Sequence, residues 1–202
     1  MPADTTAAFY ATNAQTYVES GGTYENPWRH RFLGFLTPGA SILELGCGGG
    51  YDAEAMIAAG FNVTPTDGTP EIAAQAQARL GIPVNVLAFS DLEDVSRFDG
   101  IWANACLLHV PRTELPSIIK HIQIALRSGG VFYASYKAGE NEGRDGLGRY
   151  YNYPSVEWLD ALYGALEWEN VTIEEANGSG YDRLPTRWLH VMAVKHRESA
   201  GS

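Results

Sequence analysis

A glycine cluster and the acids around it are the residues of this chain best suited to chemistry. Ile42-Leu43-Glu44-Leu45-Gly46-Cys47-Gly48-Gly49-Gly50 runs from an apolar strand through an acid into a glycine turn, and Asp67 stands 17 residues after the last glycine. A helix-compatible stretch, Asp52 to Ala59, and a second short strand, Phe61-Asn62-Val63-Thr64, lie between them. Glycine has no Cβ, so such a turn lets a ligand approach the backbone closely. A carboxylate at this distance suits a ribose diol, because its oxygens accept from both hydroxyls. The pattern points to a nucleoside-bearing cofactor and leaves open which one.

The elements that must position these residues follow from punctuation and periodicity. Residues 5–36 read as helical, with Phe9, Tyr10, Tyr17, Trp28, Phe32 and Phe35 as apolar positions, broken at Gly21-Gly22 and stopped by Thr37-Pro38-Gly39. Strand 41–45, helix 51–59, strand 61–66 and helix 70–80 follow. Thr69 caps the last of these, Pro70 suits its first position and Gly81 ends it. Strands 84–88 and 98–103 precede a helix of 113–127 with Leu115, Ile118, Ile119, Ile122 and Leu126 on one face, closed by Ser128-Gly129-Gly130. Strand 131–136, a polar loop at 137–153, a helix at 155–165 and strands at 168–175 and 187–195 complete the order. The alternation predicts an α/β fold: one Rossmann-like, doubly wound sheet, mostly parallel with an antiparallel last strand and helices on both faces. Residues 1–40 form a helical segment covering the site, 41–196 the core and 197–202 a tail. Glu44, Asp67, Asp91 and Asn104 all fall at strand C-termini, the edge where such sheets bind ligands. Pro65 cannot donate to a ladder, so it is expected at the end of its strand.

Composition excludes some classes. In 202 residues, 24 acids stand against 14 Lys and Arg, a net charge of −10, which opposes binding to a phosphate backbone. The N-terminus has no basic and apolar signal-peptide regions, and no apolar run reaches the ~20 residues needed to span a bilayer. Cys47 and Cys106 are expected as free thiols. A cytoplasmic monomer or homodimer without metal, nucleic acid or membrane contacts is the expectation; no trio of His, Cys and acid has metal-ligand spacing.

Two cofactors compete. Gly48, Gly50 and Ala53 fit G-x-G-x-x-A, and Tyr133-Ala134-Ser135-Tyr136-Lys137 fits Tyr-x-x-x-Lys, as in short-chain NAD(P)-dependent oxidoreductases. In that family the tyrosine and lysine share a helix; here they lie in a β run, which sets them about 13 Å apart. The second reading rests on Glu44-x-Gly46-x-Gly48-x-Gly50, on Asp67-Gly68-Thr69-Pro70 and on Ser90-Asp91-Leu92. It continues through Phe98-Asp99-Gly100-Ile101-Trp102-Ala103-Asn104, Leu107-Leu108-His109-Val110-Pro111 and Leu126-Arg127-Ser128-Gly129-Gly130-Val131-Phe132. In this order the segments, from about residue 10 to 195, resemble the class I S-adenosylmethionine-dependent methyltransferases.

The resemblance implies S-adenosylmethionine as cofactor, S-adenosylhomocysteine as product and a small-molecule methyl acceptor; a catalytically silent cofactor-binding domain is the alternative. It places Gly46, Cys47, Gly48 and Gly50 at the cofactor's amino-acid and ribose portion, and Asp67 with Gly68 at the ribose. Asp91 and Leu92 fall at the adenine, and Asn104, Ala105, Cys106 and Leu107 at the methionine end. Glu44 either braces the turn or reaches the ammonium through water. Tyr17, in Ala14-Gln15-Thr16-Tyr17, either covers the cofactor or is a core aromatic. Arg29 or Arg31 is expected on the methionine carboxylate, with Arg31 preferred. His109 is the candidate general base, or else a structural histidine. The 137–153 loop is a lid or a solvated connection; as a lid it brings Arg144, Arg149, Tyr150 and Tyr151 to the acceptor. Trp188, with Arg187, Tyr181 and Asp182, would form the opposite wall.

Overall fold

The structure, a computed structural model, describes residues 5–22, 25–181 and 183–197; Asp182 and the tail beyond residue 197 lie outside them. Three short helices open the chain: α1 (Thr5–Thr12), α2 (Ala14–Glu19) and α3 (Pro27–Leu33). The expected single break at Gly21-Gly22 is thus joined by another at Asn13, whose side-chain amide donates to the Phe9 carbonyl at 2.8 Å and competes with the helical ladder. Asn26 restarts the chain by accepting from the Trp28 and Arg29 amides ahead of Pro27.

Strands β1 (Ser41–Glu44), β2 (Asn62–Asp67), β3 (Asn85–Val86), β4 (Phe98–Ala103), β5 (Leu126–Lys137), β8 (Trp168–Ser179) and β9 (Pro185–Lys195) form one seven-stranded sheet in the order β3-β2-β1-β4-β5-β9-β8. Helices α4 (Tyr51–Ala58), α5 (Pro70–Leu80), α6 (Leu115–Ala125) and α7 (Val156–Gly164) connect it, and a small hairpin, β6 (Gly143–Arg144) with β7 (Tyr150–Tyr151), stands apart. All neighbours from β3 to β5 are parallel, and β9 is antiparallel to both β5 and β8. The expected antiparallel last strand is therefore present, inserted inside the sheet rather than at its edge.

Alternate strand residues sort into two clusters, as the pleat demands. Leu43, Ile101 and Phe132 join α6 and α7 through Leu115, Ile118, Ile119, Ile122, Leu159 and Tyr163. Ile42, Trp102 and Tyr133 join Phe32 of α3 and Met56 of α4 on the opposite face. Helices thus cover both faces. Among the described residues no helix is long and apolar enough to cross a membrane.

Three boundaries differ from expectation. Pro65 lies inside β2, not at its end: it faces Glu44 of β1, while β3 pairs only from Thr66 onward, so the missing amide is not needed on that side. The 113–127 helix stops at Ala125, and Leu126 to Gly130 belong to β5. The register slips there, with Phe98 opposite Leu126 but Gly100 opposite Val131. The 137–153 loop contains the β6–β7 hairpin, turned by Asp145, whose carboxylate accepts from the Leu147 and Arg149 amides.

Candidate functional site

The parallel strands run outward from β1, to β2 and β3 on one side and β4 on the other, so the switch point lies between β1 and β4. A cleft of about 400 Å³ opens over their carboxyl ends. Gly46, Gly48, Asp67, Gly68 and Thr69 form one part of its wall, Ala88, Phe89 and Ser90 another, and Ala105, Cys106, His109 and Val110 a third. Thr6, Ala7, Tyr10 and Tyr17 of α1 and α2 cover it.

The glycine turn is shaped from within and without. Gly46 has φ +63°, and a Cβ there would meet the Cys106 Cβ at 2.5 Å. Gly48 has φ +54° and lies under the Tyr17 ring, 3.4 Å from a would-be Cβ. Gly50 begins α4 against Leu80, outside the cleft. Asp67 fastens this turn to the next helix: one oxygen accepts from the Gly48 amide at 3.1 Å, the other from the Thr69 amide at 2.9 Å. Burial raises its pKa to about 6, although both amide bonds pull the other way.

Beneath the floor lies a buried polar chain. Arg29 donates to Asp52 at 2.5 Å, and Asp52 also accepts from the Trp102 indole and the Asn104 amide, each at 3.0 Å. Asn104 accepts from Ser135, whose hydroxyl oxygen accepts from the Ala105 amide at 2.8 Å. That last bond holds Ala105 at φ +52°, unusual for a residue with a Cβ, on the cleft wall. Glu44 is buried beside this chain. Burial, and then the Asp52 and Asp67 charges, push its pKa well up, and its Oε2 has no hydrogen-bond partner.

His109 is held from both sides. Its Nδ1 lies 2.6 Å from the Tyr150 carbonyl, which can only accept, so Nδ1 carries the proton and Nε2 accepts from the Tyr10 hydroxyl at 2.9 Å. Burial lowers its pKa to about 4, helped by the Arg149 and Lys137 charges. The imidazole is neutral at physiological pH, and its basic lone pair is engaged.

Of the residues singled out in sequence, Tyr17, Gly46, Gly48, Asp67, Gly68, Ala105 and His109 line the cleft together. The others are placed elsewhere. Arg31 pairs with Glu174 of the edge strand β8, while Arg29, two residues before it, is the buried arginine. Cys47 packs with Ala73, Ala76 and Val84, and Leu92 and Leu107 belong to the main core. Asp91 is exposed and accepts from Ser90; the short 3-10 turn of Phe89–Asp91 turns Phe89 and Ser90, not Leu92, to the cleft. Asn104 and Glu44 lie below the floor.

The acceptor candidates of the 137–153 segment are engaged within that segment and with α1. Arg144 donates to Thr5 and Gly148, Tyr150 to Glu142, and Arg149 to Asp145. Tyr151 is buried against His109 and Tyr153, and Trp188 sits on β9 against Gly178. Cys106, expected at the methionine end, also lines the cleft, whereas Thr6, Ala7, Tyr10 and Phe89 went unassigned in sequence, because only tertiary docking brings them there. Among the described residues no three His, Cys, Asp or Glu side chains gather as a metal ion would need.

Residues 42–130 match the family model described as a methyltransferase domain. The ubiquinone biosynthesis O-methyltransferase of Xanthomonas campestris pv. campestris (strain B100) is 33% identical over 105 residues, 48% of this chain and 43% of that protein. The enzyme of the same name from Methylobacterium nodulans is 26% identical over 169 residues, 73% of this chain and 66% of that protein. The matches thus span less than two thirds of these relatives' lengths. Among solved structures, the Burkholderia thailandensis 1,6-didemethyltoxoflavin-N1-methyltransferase, with 1,6-didemethyltoxoflavin and S-adenosylhomocysteine bound, superposes with a TM-score of 0.75 at 21% identity, covering 95% of this chain and 88% of that one. The Haemonchus contortus phosphoethanolamine N-methyltransferase 2, with phosphomonomethylethanolamine and S-adenosylhomocysteine, gives 0.72 at 16% identity over 93% and 58%. At these identities the structures establish the shared fold.

Proposed function

We propose that the chain is a class I S-adenosylmethionine-dependent methyltransferase, a reading supported by the methyltransferase-domain match and the shared fold, and that it transfers a methyl group from S-adenosylmethionine to a small-molecule acceptor held under the 137–153 segment. The observation that carries the reading is Asp67: a buried carboxylate tied to the glycine turn and facing a cleft large enough for a nucleoside. The residues present fit the cofactor. Asp67 would take the ribose hydroxyls, Phe89 and Ser90 would face the adenine, and Gly48 under Tyr17 would pass the amino-acid portion. The unpartnered Glu44 Oε2 supplies an acceptor for a bridging water below the ammonium.

The sulfonium supplies an already activated methyl group, so the protein's task is alignment and exclusion of water. The rigid Ala105 turn sets the floor, and α1 and α2 close the top. His109 is proposed to hold Tyr10 in place rather than to serve as a free base, since its lone pair is occupied and its pKa lies near 4. A hydroxyl or amine acceptor that is nucleophilic without strong base suits such a site.

Isothermal titration tests the reading. Micromolar binding of S-adenosylhomocysteine at one site is expected; binding of NAD(H) with none of the homocysteine nucleoside would overturn it. Turnover of methyl-labelled cofactor against a panel of small phenols and amines then separates an enzyme from a silent binding domain.

A further inference from the structure

We infer that Arg149 is a positioning residue: acting through Tyr10, it pins the α1 arm over the cleft and so sets how long a bound ligand stays. The inference rests on the proposed function only in its choice of ligand probe.

Arg149 is 1% exposed. Its Nε and Nη2 both donate to Asp145 Oδ2, at 2.9 and 2.7 Å, and its Nη1 lies 3.4 Å from the Tyr10 hydroxyl. Four rings surround the guanidinium, Phe9 at 5.0 Å, Tyr181 at 5.2 Å, Tyr151 at 5.4 Å and Tyr10 at 6.0 Å. Three segments far apart in sequence therefore meet on one cation: α1, the β6–β7 hairpin and the turn between β8 and β9. A planar guanidinium can stack on rings and grip a carboxylate at once, which an ammonium cannot.

Thr6 is the one buried residue of α1, and Tyr10 packs against the cluster of Ala14, Val18 and Ile72; the arm's polar anchors come from the hairpin. Thr6 Oγ1 accepts from the Tyr150 amide and Thr5 Oγ1 donates to the Gly148 carbonyl, both at 2.8 Å, and both bonds end on the hairpin that Arg149 organises. Tyr10 carries the contact inward, from Arg149 to His109, and both Tyr10 and His109 line the cleft. With Thr6, Ala7 and Tyr10 as its cover, a ligand leaves only when the arm lifts.

The test compares S-adenosylhomocysteine dissociation by stopped flow from the 202-residue parent chain and from Arg149→Met, Arg149→Lys and Tyr181→Ala. Arg149→Met keeps length while removing charge, and Asp145 retains its two backbone partners, so the turn persists. Dissociation is expected to accelerate at least about tenfold, a change of about 1.4 kcal/mol, with smaller accelerations for the lysine variant and for Tyr181→Ala. Limited proteolysis between residues 5 and 22 should speed up in the same order while the melting temperature of the core holds. Tyr181 is 37% exposed, so its variant reports on the arm even if Arg149→Met fails to fold. Wild-type dissociation rates and cleavage rates in the variants would overturn the inference while leaving the methyltransferase reading intact. Absence of nucleoside binding to wild type would sink that reading, and proteolysis would still decide the role of Arg149.

Discussion

Asp67 sits in surroundings that disfavour its own charge. Its carboxyl titrates at about 6 in the folded chain against an ordinary value of 3.8. Between these values the folded state holds the extra proton, so this group adds stability as pH falls from about 6 toward 4 and opposes folding above 6, by on the order of 3 kcal/mol. A ligand that donates two hydrogen bonds reverses the preference. Nucleoside affinity is therefore expected to weaken as pH falls through about 6, measured by titration calorimetry between pH 5 and 8. Asp67→Asn should lower that affinity roughly 30-fold or more, the loss of one or two charge-assisted hydrogen bonds, yet unfold no earlier than the parent at pH 7.5. Residues such as Asp67 and Gly48 were legible in sequence because a tight turn constrains its residue types locally. Which of Arg29 and Arg31 is buried was not legible, because residues two apart on a helix face away from each other and only packing turns Arg29 to Asp52 and Arg31 to Glu174.

The connection after β5 shows how an element is fixed by a few side chains. Asn152, fully buried, donates from its side-chain amide to the Leu107 and Val110 carbonyls at 2.9 and 3.0 Å, and its own amide donates to Leu108. Arg112 returns the contact with bonds to the Asn152 and Tyr153 carbonyls at 2.9 and 2.7 Å. The hairpin exit is thereby stapled to the His109 loop. Asn152→Ala removes the donor to the Val110 carbonyl, while the Leu107 carbonyl keeps the Val110 amide, and is expected to cost about 1–3 kcal/mol, read as a shift in urea midpoint at unchanged slope. Ser135→Ala, which frees the Ala105 amide, should alter methyl-transfer kcat more than KM for the cofactor, because it relaxes the floor rather than the nucleoside grip. Sequence reading found the strands and helices around these segments, since their periodicity is local. It missed the hairpin because β6 and β7 hold two residues each, too short for a period, and their stability comes from Asp145 and the α1 arm.

At the scale of the molecule, ligand and fold reinforce one another. If the cleft binds S-adenosylhomocysteine, ligand at 100 times Kd should stabilise by about 2.7 kcal/mol, raising Tm by about 5–10 °C for a chain of this size; NAD should leave it unmoved. The class of fold was legible because strand–helix alternation admits few topologies; the position of β9 was not, because nothing local distinguishes an inserted strand from an edge strand. That position has a consequence in time. β9 lies between β5 and β8, so β8 has no neighbour in the sheet until β9 is present. During synthesis, at about 5–20 residues per second, the nascent chain exposes the flank of β5 and an unpaired β8 until residue 195 clears the ribosome. Closure of this side of the sheet thus waits for β9 alone, and a chain stalled before Pro185 would present the open edges of β5 and β8 to whatever binds such edges in the cell.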